Sequence, residues 1–283
     1  MTVVKTINEV RQFVKEARLK GMTIGFVPTM GFLHEGHLSL MREAKAQTDY
    51  VVVSIFVNPT QFGPTEDLAT YPRDLPRDQM LCESVGVDLI FAPKVDEMYP
   101  AGHSTIVDCE GPITKQLCGA SRPTHFKGVT SVVAKLFNIV LPDKAFFGQK
   151  DAQQVSVIEK MVKELNFDLE IVSCPIVREA DGLAMSSRNT YLDEEARRQA
   201  LVLSQSLNAA KASIDAGVTR VSELISLIRE TIQKATLAEI DYVQIVDART
   251  LLAIDELTDD TLIALAVKFG KTRLIDNMRI RRR

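Results

Sequence analysis

Cysteine is scarce and does not pair: Cys82, Cys109, Cys118 and Cys174 are scattered through 283 residues with no C-x-x-C spacing. Neither a zinc site nor a disulfide framework follows from such an arrangement. Long apolar runs are missing as well. No stretch approaches the roughly 20 residues that cross a bilayer. The opening, Met1 to Glu9, carries charge and no apolar run of signal-peptide length, so no membrane partner and a cytoplasmic location are expected. Nor is positive charge in excess, since 34 Lys and Arg face 37 Asp and Glu for a net charge of −3. A protein that grips nucleic acid through its phosphates is normally basic, which removes nucleic acid from the expected partners. The one basic run, Arg279 to Arg283, reads as a solvated tail. Internal repeats and low-complexity segments are also lacking.

What is present is a full apolar complement. Apolar residues make up 46% of the chain and charged residues 25%, enough to bury a core without disulfides or structural metal. Thr6 and Glu9 form a capping-box pattern before Ile7, Val10, Phe13, Val14 and Ala17 at helical spacing, and that helix ends near Gly21. Met22 to Pro28 and Tyr50 to Val57 read as buried strands, with a helix over 36–46 between them. The Pro- and Gly-punctuated segment 63–76 is a loop leading into a helix, and 88–92 is a third strand. A helical stripe of Val129, Val132, Val133, Leu136, Phe137 and Val140 follows, then a strand at 144–147, a helix over 153–165 and a strand at 169–173. Strands that alternate with helices and are apolar along their whole length imply a parallel sheet covered on both faces. The expected class is α/β, a doubly wound Rossmann-like parallel sheet, with ligands at the carboxyl ends of its strands. After about Ile176 the pattern changes to two long helices, 193–216 and 219–235, and three strands at hairpin spacing. Residues 177–283 should therefore form a smaller α+β domain with an antiparallel sheet, behind a first domain of residues 1–176.

Two of only four histidines lie in Leu33-His34-Glu35-Gly36-His37, directly after the first strand and at the start of a helix. Spaced three apart, they project from one side of a helical turn. Gly36 leaves the backbone approachable, and the helix start adds unpaired N–H groups and positive potential. This is an anion site with two imidazole donors, suited to charge growing on a transferring phosphoryl group. A metal site needs a third ligand, and none is placed nearby, so no protein-held metal is expected here. Gly148-Gln149-Lys150-Asp151 follows a strand and precedes a helix, offering Lys150 to phosphate and Asp151 to ribose. Met185-Ser186-Ser187-Arg188-Asn189 sets hydroxyls and a guanidinium on one loop, a set that suits phosphate oxygens. Gly270-Lys271-Thr272 ends like a phosphate loop, but Leu265 stands where its first glycine belongs, so it reads as a hairpin turn.

A strand, His-x-Gly-His and a later Met-Ser-Ser-Arg loop resemble the nucleotidyltransferases that carry HIGH and KMSKS signatures, and within them the pantoate–β-alanine ligase family. The resemblance is carried in order by Pro28-Thr29-Met30-Gly31 with the histidine pair and by Phe56-Val57-Asn58-Pro59-Thr60-Gln61-Phe62. Arg122-Pro123-Thr124-His125-Phe126, Gly148 to Gln154 and Val177 to Asn189 complete it. It implies a ligase using ATP and Mg2+. Pantoate attacks the α-phosphorus of ATP, giving pantoyl adenylate and pyrophosphate, and the amine of β-alanine then displaces AMP to form pantothenate. It also implies the roles. His34 and His37 meet the phosphates, with His37 the proton donor, and Lys150 completes the catalytic set. Met30, Gly31, Phe32, Leu33, Glu35 and Gly36 form the nucleotide loop and helix start. Gly148, Gln149, Lys150, Asp151 and Val177 hold ribose, α-phosphate and adenine, while Met185, Ser186, Ser187 and Arg188 bind the distal phosphates. Gln61 and Gln154 hold pantoate, Gln61 also lying near the amine, and Asn58 shapes the entry. The C-terminal domain is implied to be a lid and the assembly a homodimer. The sequence departs from the family at an acidic pair that some members place near magnesium. Arg77 fills one of those positions and leaves Asp78, which implies a magnesium held mostly by triphosphate and water.

Overall fold

A computed structural model describes residues 1–282. The chain divides into two compact units. The first comprises Met1–Cys109, Thr124–Gln149 and Val157–Pro175, and the second Glu110–Pro123, Lys150–Ser156 and the chain from Ile176 onward.

In the first unit, β1 (Thr2–Val4), β2 (Ile24–Thr29), β3 (Tyr50–Ile55), β4 (Leu89–Phe91), β5 (Lys144–Gly148) and β6 (Glu170–Cys174) form one sheet in the order β1-β4-β3-β2-β5-β6. Every pairing is parallel, as the uninterrupted apolar runs require. β2 pairs with β3 on one side and β5 on the other, so the winding reverses at β2, and loops leaving β2 and β5 diverge at a switch point. β1 has no counterpart among the sequence expectations, because three residues are too short for a periodic signal. α1 (Ile7–Leu19) starts with the expected reciprocal cap between Thr6 and Glu9 and buries Val10, Val14 and Ala17. α2 (Glu35–Gln47) connects β2 to β3, and α3 (Leu75–Ser84) precedes β4. One core cluster includes Val27, Met41, Val51, Val53, Ile90 and Phe146, each fully buried apolar side chain being worth about 1.5–3 kcal/mol.

The helix His125–Val140 lies so close to the turn Pro59–Gln61 that a Cβ on Gly128 would sit 2.3 Å from the Thr60 carbonyl oxygen and 2.6 Å from Gln61 Cα. Both are backbone atoms that cannot rotate away.

In the second unit, β7 (Ala238–Asp247), β8 (Asp260–Phe269) and β9 (Thr272–Arg281) form the expected antiparallel sheet. Gly270, at φ +59°, turns the β8–β9 hairpin. The helices Val202–Asp215 and Val221–Ile232 cover the sheet with Leu203, Leu207, Leu224 and Ile228 against Val243, Ile263 and Leu265. Two sequence expectations change. The helix expected over 193–216 breaks into Glu194–Gln199 and Val202–Asp215, because the Leu203 amide donates to the Ala200 carbonyl three residues back and tightens the step. The basic run is no tail: Arg279 to Arg281 belong to β9, with Ile280 buried between two arginines as strand alternation demands. Arg283, its last residue, lies outside the described residues. Arg279 grips Asp260 at the start of β8 through Nε (2.6 Å) and Nη2 (2.5 Å), with Arg249 and Arg281 about the same carboxylate.

Gly128→Ala should lower stability by about 1–3 kcal/mol through overpacking and displace the Pro59–Gln61 turn, which thermal unfolding and the Gln61 NMR signals will check. Arg279 holds the Asp260 carboxyl below its ordinary value, aided by Arg281 and Arg249 against the cost of burial. A lowered folded pKa means the stabilisation is present above the unfolded value of about 3.9 and lost as pH falls through the folded value. Asp260→Asn should therefore cost about 1 kcal/mol at pH 7, and urea unfolding should find the gap from wild type shrinking below about pH 4. An equal gap at neutral pH and well below the carboxylate range would remove the carboxylate from the account.

Candidate active site

The chain leaves β2 through Met30, Gly31, Phe32 and Leu33 and enters α2 at His34. Gly31 (φ +81°) and Phe32 (φ +50°) are both left-handed. Glycine takes that conformation freely, whereas a phenylalanine needs outside support. Asp78, in the first turn of α3, supplies it: Oδ2 accepts the Phe32 amide at 2.8 Å and Oδ1 the Leu33 amide at 2.7 Å. The Asp78 side chain is 1% exposed. Burial raises its pKa, outweighing the two amide bonds and Arg77, which act the other way.

His34 is the N-cap of α2. Its Nδ1 accepts the Gly36 amide (3.1 Å), and His37 Nδ1 accepts the His34 amide (3.2 Å). The pair thus forms a capping box in which both partners are imidazoles, their ring centroids 4.1 Å apart. A ring nitrogen that accepts an N–H carries no proton, so each neutral imidazole holds its hydrogen on Nε2. Helix capping and anion binding are therefore not alternatives: Nδ1 caps, and Nε2–H is a donor at a helix start already favourable to negative charge.

After β3, Asn58 caps the turn Pro59–Gln61 and is 1% exposed. Its amide is used on every side. Nδ2 donates to Gln61 Oε1 (3.0 Å) and to the Gly128 carbonyl (3.1 Å), while Oδ1 accepts from Thr60 Oγ1 (2.9 Å) and Tyr99 Oη (2.8 Å). This fixes which end of the Gln61 amide is which: Oε1 faces Asn58, and Nε2 donates to Met30 Sδ at 3.1 Å. His125 Nδ1 lies 2.9 Å from the Gln61 carbonyl. The first unit therefore joins Met30, Asn58 and Gln61 directly, with Gly148 and Gln149 at the end of β5 on the neighbouring strand.

In the second unit, Lys150 and Asp151 are paired at 3.7 Å, and the Lys150 carbonyl accepts Asn277 Nδ2 at 2.9 Å. Gln153, which the sequence did not single out, is 6% exposed and structural. Its Oε1 accepts the Cys118 amide (2.9 Å) and its Nε2 donates to the carbonyls of Ile113 (2.9 Å) and Gln116 (2.7 Å). Gln154 beside it is half-buried, and its amide makes no hydrogen bond among the described residues. Met185 donates its amide to the Val177 carbonyl (3.0 Å), tying those two predicted residues together. Ser186 caps the turn Ser187–Tyr191 by accepting the Arg188 amide, and Asn189 is held by Glu179 Oε1 at 2.7 Å. Glu179 also binds Arg197, and Arg178 forms a two-pronged pair with buried Asp276. The Ser-Ser-Arg segment is thus braced by ion pairs that spacing alone did not announce.

Cys82 and Cys174 are not placed for nucleophilic chemistry. Burial pushes the Cys82 thiol up to about 12 and the Cys174 thiol to about 11, so both stay neutral where a nucleophile must be thiolate. Among the described residues no group of three or more His, Cys, Asp or Glu is placed to hold a metal ion. No helix among them is long and apolar enough to cross a membrane.

The family model described as pantoate-beta-alanine ligase matches residues 2–279. Pantothenate synthetase of Pelotomaculum thermopropionicum is 61% identical over 277 residues, 98% of each chain. Among solved structures, pantothenate synthetase from Thermus thermophilus superposes with a TM-score of 0.94 at 46% identity, over 98% of this chain and 99% of that one. Pantoate-beta-alanine ligase from Francisella tularensis, complexed with beta-gamma ATP and beta-alanine, gives a TM-score of 0.82 at 36% identity over 98% and 97%. A match of this length, on a sheet whose switch point carries the paired histidines, has one reading: the chain belongs to the pantoate–β-alanine ligase family.

Proposed function

We propose that this chain condenses (R)-pantoate with β-alanine to form pantothenate, using ATP and passing through pantoyl adenylate. The observation that carries the reading is the imidazole capping box at the start of α2, with both Nε2–H groups at a helix N-terminus, in a chain that matches the family along its length. A pantoate carboxylate oxygen attacks the α-phosphorus, the bond to the bridging oxygen breaks, and pyrophosphate leaves with that electron pair. The β-alanine amine then adds to the acyl carbon, loses a proton and expels AMP. His34 and His37 donate to phosphate oxygens as charge builds on the leaving group, His37 as proton donor, and Lys150 adds a fixed positive charge. Met30 to Gly36, Gly148, Gln149, Asp151 and Val177 hold the nucleoside and α-phosphate. Met185, Ser186, Ser187 and Arg188 hold the distal phosphates.

Gln61 and Gln154 read pantoate. An amide offers a donor and an acceptor without charge, so it serves both a hydroxyl and a carboxylate oxygen. A lysine there would stabilise the ground-state carboxylate and blunt its attack. Asn58, its own hydrogen bonds spent, supports this role by orienting Gln61. Magnesium enters as part of the MgATP substrate. The donor set does not fit a protein-held ion: Asp78 is 1% exposed with its oxygens facing backbone amides, and no group of three or more His, Cys, Asp or Glu among the described residues is placed to hold one. A cytoplasmic homodimer completes the reading, supported by the family resemblance, and light scattering of the purified protein tests the dimer.

ATP–pyrophosphate exchange should require pantoate and magnesium and proceed without β-alanine; exchange that needs tRNA, or none with pantoate, would overturn the assignment. Loss of His34, His37 or Lys150 to alanine should each lower kcat by about 10²–10³, with KM for pantoate less affected. Pantoate analogues lacking a hydroxyl should lose more than those lacking a methyl, at about 1–3 kcal/mol per unpaired polar group. Gln61→Ala and Gln154→Ala should reduce that discrimination. Equal losses on pantoate and its deoxy analogues would show that the glutamines do not read the hydroxyls.

A further inference from the structure

We infer that Asp78, seconded by Arg77, is a positioning residue that clasps the Met30–Leu33 loop and so sets the aim of His34 and His37, and that it does not bind magnesium. The inference rests on the function proposed above. Both carboxylate oxygens are committed, one to each of two consecutive amides, at 2.8 and 2.7 Å, on a side chain 1% exposed. Charge-assisted bonds of this kind are roughly twice as strong as neutral ones. Each oxygen keeps a second lone pair, but a side chain 1% exposed gives a metal ion with its waters no approach to them.

Arg77 holds the other side of the same segment. Its Nη1 donates to the Leu33 carbonyl at 2.9 Å, and its guanidinium lies over the Phe32 ring, 5.2 Å from the centroid. Two adjacent residues of α3 thus bind both polar faces of the Phe32–Leu33 stretch and cover its aromatic side chain. The loop needs this. Phe32 at φ +50° adopts a conformation that L residues avoid, next to Gly31 at φ +81°. A Cβ on Gly31 would come within 2.9 Å of Asp78 Oδ2 and of Ile55 Cγ2, so a side chain at 31 would crowd the carboxylate. Leu33 is followed at once by His34, whose extended backbone (φ −139°, ψ 175°) begins the cap. Freeing the Leu33 amide frees the residue from which both imidazoles are aimed. Arg77 is part of the same device, because its guanidinium supplies the donor that the Leu33 carbonyl accepts.

Asp78→Asn is the deciding variant, since it keeps the shape and one acceptor oxygen but turns an NH2 group on the second amide. It should lower kcat of pantoate-dependent ATP–pyrophosphate exchange by about 10²-fold, the usual result of misplacing catalytic groups by about an ångström. The magnesium concentration for half-maximal rate should stay within about two-fold. Arg77→Met should lower kcat less and in the same pattern. The Phe32 and Leu33 amide protons, each bonded to a carboxylate, should resonate downfield in the wild-type protein, and at least one should move upfield in Asp78→Asn. That readout requires no turnover, so the clasp is tested even if the proposed reaction fails. Unchanged amide signals would overturn the clasp. So would a kcat within about two-fold of wild type, or activity restored by raising magnesium about ten-fold, which is the behaviour of a metal ligand. Should Asp78→Asn fail to fold, the wild-type amide shifts with Arg77→Met kinetics decide the same question.

Discussion

Everything at the site follows from β2 being paired on both edges and buried on both faces. Ile24, Phe26 and Val27 have no exposed surface, and β3 and β5 take the backbone groups on either side. A strand so enclosed has no room for chemistry along its length. Polar function is pushed to its carboxyl end, where the two directions of winding part and leave a crevice. The histidine pair follows β2, the Asn58–Gln61 turn follows β3, and Gly148-Gln149 ends β5. Three loops far apart in sequence share one end of one sheet because parallel pairing aligns their strands.

The crevice is not lined with idle groups. Its polar residues are bonded first to the backbone and to one another. Each imidazole spends Nδ1 on α2 and thereby fixes the proton on Nε2. Asn58 exhausts its amide on Thr60, Tyr99, Gly128 and Gln61, and the outcome is a Gln61 amide of known polarity beside Met30. Asp78 spends both oxygens on one loop. Such sharing makes the geometry stiff. It also ties the turn to packing: Gly128 lacks a side chain because Gln61 and Thr60 must pass there.

The contrast between Gln153 and Gln154 shows how far apart neighbours can be. Successive helix positions face different ways, so Gln153 plugs three backbone groups of residues 113–118 while Gln154 beside it does not. Braces such as Glu179 with Arg197 and Asn189, and Arg178 with Asp276, likewise give the Ser-Ser-Arg segment a fixed base.

The sequence by itself determined the sheet class, the order of helices and strands, the hairpin at Gly270 and the histidine pair. Those signals are local: apolar periodicity, caps, turn residues and motif spacing are written within a dozen positions. Tertiary structure alone decided what depends on partners distant in the chain. The clasp of Asp78 on Phe32 and Leu33 spans more than forty residues, the Gly128 approach to Thr60 nearly seventy, and pairing with β8 made a strand of what composition describes as a tail. β1 exists because β4 offers it an edge, not because three residues prefer to be extended. A residue's type states which bonds it could make; only the fold supplies the second atom.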